Sequence, residues 1–70
     1  MLSDEEKETR RVARLAFSLE ASGWSQKYFV EELGHTASEY EEAVEKFDSV
    51  YSRPGAELRA LWDDCYPDAP

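Results

Sequence analysis

Only one cysteine, three glycines and three prolines occur in 70 residues. A lone cysteine, Cys65, excludes the disulfide framework of a small secreted domain. No uninterrupted apolar run exceeds three residues, as at Leu15–Phe17 and Tyr28–Val30, whereas a membrane-spanning helix needs about 20. The single histidine, His35, pairs with Cys65 to make at most half a zinc site, and nothing at zinc spacing supplies the rest. So short a chain has room for one domain and none for an interdomain cleft. Positive charge is scarce. Eight Lys and Arg oppose sixteen Asp and Glu, for a net charge of −8. Such a chain repels nucleic acid and anionic membrane at long range. The opening, Met1 to Glu8, is polar and acidic, unlike a secretory or transit peptide, so the expected location is the cytoplasm.

The acid that is present is concentrated. Residues 25–50 carry two basic and seven acidic side chains, against four and five in residues 1–24. Helical spacing runs through the whole chain, and no alternating apolar pattern suggests a strand. Ser3 with Glu6 forms a capping box, and a helix over about 4–22 follows, with Val12, Ala13, Ala16, Phe17 and Leu19 on its apolar face. Lys7, Arg10, Arg11 and Arg14 fall on the other side, where Arg10 is expected to pair with Glu6. Gly23 is a natural stop. Ser25 caps a second helix over 26–33, with Tyr28, Phe29, Val30 and Leu33 as its apolar stripe. Gly34 ends it, and Thr36 with Glu39 caps a third over 37–50. Tyr40, Ala43, Val44 and Phe47 share one face of that helix. Pro54 opens a fourth over 54–65, with Leu58, Leu61, Trp62 and Cys65 at helical spacing, before a tail at 67–70. The expectation is an all-α, four-helix domain with a helix-turn-helix-like core.

The stretch Ser25–Val44, SQKYFVEELGHTASEYEEAV, resembles the helix-turn-helix of Cro- and repressor-like DNA-binding proteins. Gln26 opens its second helix, Phe29 and Val30 lie within it, Gly34 forms the turn, and Thr36 and Tyr40 cap and anchor the third. The whole chain also resembles a family of short bacterial helix-turn-helix-like proteins. Their shared features match Leu2-Ser3-x-x-Glu6, Leu19–Ser25 and Glu57-Leu58-Arg59-x-Leu61 here. That likeness implies a fold and a loose regulatory role, with no established activity. The chain departs from the DNA-reading pattern on the third helix. Base- and phosphate-contacting positions there carry Glu41, Glu42 and Glu45 where Arg, Lys, Gln or Asn serve in the major groove.

Two functional expectations follow. The first is a non-catalytic interaction module. Glu39, Glu41, Glu42 and Glu45 steer a protein partner with a basic surface, or a second copy of the chain, and Trp24 and Trp62 supply contact area. Its sharper form is a nucleic-acid-mimicking inhibitor of phage or bacterial type, for example an anti-CRISPR protein. The second is a small dimeric regulator that binds DNA through Gln26, Thr36, Ser38, Arg10 and Arg14. No cofactor, metal or small-molecule substrate is expected. Adjacent acid pairs such as Glu31-Glu32 and Asp63-Asp64 diverge on a helix and make no acid–base dyad, so no enzyme activity is expected. Asp63 and Asp64 are also expected to raise the pKa of Cys65 rather than activate it.

Overall fold

A computed structural model describes residues 3–66, so Leu2 of the opening motif and the tail at 67–70 lie outside the described residues. Every described element is helical. They are α1 (Asp4–Ala21), a short π-helix (Tyr28–Glu32), α2 (Ala37–Tyr51) and α3 (Gly55–Cys65). The boundaries follow from the caps. The Ser3 hydroxyl accepts from the Glu6 amide at 3.2 Å, and Asp4, Glu5 and Glu6 place negative charge at the positive end of the α1 dipole. At Thr36 the reciprocal box is complete. Its hydroxyl accepts from the Glu39 amide at 3.1 Å and its own amide donates to Glu39 Oε1 at 2.9 Å. Pro54 stands just outside α3 as its N-cap, one residue earlier than the first helical position expected for it.

The end of α1 is a Schellman motif. Trp24 N donates to Leu19 O and Gly23 N to Glu20 O, both at 3.1 Å. Gly23 takes φ +63°, as glycine readily does, and Trp24 follows at +66°, a conformation bulky residues avoid. The second helix departs from the expected α-helical stripe. Gln26 and Lys27 begin it, Ser25 Oγ caps it at the Tyr28 amide (3.3 Å), and it then widens into π winding, with Leu33 N donating to Tyr28 O at 3.1 Å. Wider winding takes neighbouring residues off a common stripe. Phe29 is fully buried and Val30 partly buried, while Tyr28 and Leu33 stand at the surface. Gly34, at φ +76°, then turns the chain toward α2.

α1 is the hub. One side of it packs Leu15 and Leu19 with Phe29 and Ala43, and the other packs Ala13, Ala16 and Phe17 with Val50. Phe47 of α2 touches both groups. Leu15 was not part of the expected apolar face, because a single-stripe reading suits a helix packed on one side and α1 is covered on two. α3 has no fully buried residue. It closes the core with the partly buried Leu58, Leu61 and Cys65.

Candidate functional site

The four glutamates of the third helix do not act together. Arg11, on α1, grips Glu42 with a two-pronged contact, Nη1 to Oε1 at 2.9 Å and Nη2 to Oε2 at 2.6 Å. It also holds Glu8, with Nε to Oε1 at 2.7 Å. This hydrogen bonding keeps the Glu42 carboxyl below its ordinary range and the guanidinium firmly protonated. Glu39 is occupied by the Thr36 cap and lies 3.7 Å from His35 Nδ1. Glu41 and Glu45 remain, exposed and in no ion pair among the described residues, with Asp48 exposed on the next turn of the same face. These three are four and three residues apart, so they form one acidic ridge.

Beside that ridge lies an aromatic series. Trp24 meets Phe47 edge-on at 4.7 Å, and Phe47 stacks on Tyr51 at 4.4 Å. Tyr51 meets Phe17 at 5.9 Å, and Phe17 meets Trp62 at 5.1 Å. Both ends are open to solvent, Trp24 and Trp62 each being 43% exposed. The Tyr40 hydroxyl donates to the Trp24 carbonyl at 2.6 Å, which fixes the strained tryptophan on α2. Val44, 39% exposed, lies one turn from both Tyr40 and Phe47. Trp62 borders a shallow apolar hollow of about 290 Å³ over Phe17, Tyr51 and Leu58.

The cationic side of α1 lines an open groove of about 510 Å³. Lys7, Arg10, Arg11 and Arg14 rise along it, His35 comes from the turn before α2 and Glu39 from its first turn, and Asp64 and Cys65 from the end of α3. Arg10 pairs with Asp64 at 3.5 Å rather than with Glu6. The helix-helix approach places Asp64 there, which local spacing could not reveal. His35 stacks on Phe29 at 4.4 Å, with Nε2 3.1 Å from Ser18 Oγ. Burial, above all, pushes the Cys65 thiol pKa up. Arg14 and Arg10 oppose this, and neighbouring Asp64 adds only a smaller upward push. Among the described residues no three His, Cys, Asp or Glu side chains gather as a metal site, and no helix is long and apolar enough to cross a membrane.

Of the residues expected to meet DNA, Arg10 and Arg14 share this groove. Gln26 and Ser38 are exposed elsewhere, and the Thr36 hydroxyl serves its cap. The sequence pattern displayed the cationic stripe, but not the approach of His35 and Cys65 that makes it concave. Tyr28 and Val44, placed on apolar stripes by spacing, are surface residues. No family model, curated protein or solved structure matches the chain.

Proposed function

We propose that the chain is a non-catalytic, cytoplasmic interaction module on a degenerate helix-turn-helix scaffold, whose α2 ridge docks on a basic protein surface. One observation carries the reading. Glu41, Glu45 and Asp48 are exposed on one face and in no ion pair among the described residues, and a half-exposed Trp24 is pinned to Tyr40 and Phe47 of the same helix. A rigid aromatic anchor on the same helix as a charged ridge is the composition of an interface hot spot with a polar rim. The charges speed encounter with a cationic partner, and the aromatic supplies buried area. Carboxylates repeated on successive turns also suit the nucleic-acid-binding groove of a partner, which makes mimicry of phosphates the sharper form of the proposal.

The test uses immobilised protein and cell lysate. Wild-type protein is expected to retain basic proteins that elute with salt, and the Glu41→Gln/Glu45→Gln double variant to lose them. Glu42 is left intact because it holds α1 to α2. Retention of the same proteins by the double variant overturns the electrostatic account.

A further inference from the structure

The groove across α1 gathers four cations against two carboxylates, Glu39 and Asp64, in a molecule that is strongly negative. Three of its cations are poorly matched. Lys7 and Arg14 meet no carboxylate in an ion pair among the described residues, and Arg10 has only the 3.5 Å contact to Asp64. Arg14 lies 6.0 Å from the Tyr66 ring centroid, a contact that leaves its hydrogen-bond donors available. Arg11 is committed to Glu8 and Glu42, which neutralise it, so the free positive charge of the groove comes from the other three. Lys7, Arg10 and Arg14 follow one another at three and four residues, so they project from one face over about 10 Å of helix. Beneath them the groove has an apolar floor at Leu15 and Cys65.

From this arrangement we propose that the groove binds a small phosphomonoester, its phosphate held by Lys7, Arg10 and Arg14 and its organic body lying over Leu15 and Cys65. The choice of anion rests on donor count. A phosphate dianion offers three oxygens to donors arriving from successive turns, whereas a carboxylate is satisfied by one guanidinium fork. The choice of a small ligand rests on charge. The net −8 of the chain opposes a polyanion over its whole length, whereas a compact dianion meets chiefly the local cations. The site shares no residue with the α2 ridge, so it stands or falls independently of the proposed docking.

The experiment titrates the full chain with adenosine monophosphate at about 0.15 M salt, where chiefly local charge is felt, and follows backbone amide resonances. Saturable shifts are expected in α1 from Lys7 to Leu15, at His35 and at Cys65, with a dissociation constant of about 1 mM or tighter. Occupancy should also slow alkylation of Cys65. Arg14→Gln is expected to weaken binding by roughly tenfold, the loss of one charge-assisted contact. Lys7→Gln, which sits on an exposed turn and disturbs no core contact, should weaken it as well. Arg59→Gln, beside the apolar hollow, should leave it unchanged. Absence of shifts up to about 10 mM overturns the proposal. So does binding that both groove variants retain, displacement of the nucleotide by an equal concentration of a glutamate-rich peptide, or tighter occupation of the same residues by duplex DNA.

Discussion

Trp24 is where backbone and side chain disagree. Its φ of +66° suits glycine, and holding a non-glycine residue there costs about 1–2 kcal/mol. The ring contact with Phe47 and the Tyr40 hydroxyl on its carbonyl offset that strain. The tryptophan side chain, not the local backbone, therefore justifies this residue. Replacing it separates the two effects. Trp24→Ala loses the ring and keeps the strain, while Trp24→Gly loses the ring and relieves it. Urea unfolding should find both less stable than wild type, with the glycine variant ahead of the alanine variant by about 1 kcal/mol. The usual order, alanine ahead of glycine, would show that this elbow relaxes when the ring is removed. The same reasoning applies to Gly34 at φ +76°, where an added Cβ meets nothing within 4 Å. Gly34→Ala should cost about 1 kcal/mol through conformation alone.

Between elements, the Arg11–Glu42 fork is the one polar tie from α1 to α2 that involves a shifted carboxyl. The folded state lowers the pKa of Glu42 relative to its ordinary 4.5. The tie therefore stabilises the fold above that pH and is lost as pH falls through the lowered value. Both side chains are partly exposed, which limits its worth to about 0.5–1 kcal/mol. Glu42→Gln should be less stable than wild type by that amount at neutral pH, and the gap should close as pH falls below 4.5 through the lowered pKa of Glu42. A gap that is constant with pH would assign the loss to packing. Helix positions were legible because Ser3, Thr36 and Gly23 punctuate the chain where the apolar spacing starts and stops. The π winding at Tyr28–Glu32 was not, since two turns of sequence fit several helical periods. Nor were the partners of Arg10 and Arg11, because Asp64 and Glu42 reach them only after α3 and α2 have packed. The candidate ridge was half legible. Its acids could be read along the third helix, but the diversion of Glu39 to a cap and Glu42 to Arg11 is a tertiary event.

At the scale of the whole molecule, two fields compete. The extents are only 32 × 27 × 24 Å, and the Debye length at about 0.01 M salt is near 30 Å. At low salt an approaching polyanion therefore meets the net −8 of the entire chain. At about 0.15 M the screening distance falls to near 8 Å, and only local charge is felt. The same repulsion acts between copies and holds apart the half-exposed Trp24, Tyr28 and Trp62 surfaces. Light scattering at about 0.01 M salt should therefore report a single chain, 8.1 kDa. Random duplex DNA should leave that mass unchanged at both salt concentrations. Any self-association through the aromatic ends should grow as salt rises, the reverse of what docking on a basic partner does. A complex with DNA at low salt would mean that the Lys7–Arg14 face outweighs the global field. It would move the interaction from α2 to α1 and favour a DNA-binding regulator over a partner-docking module.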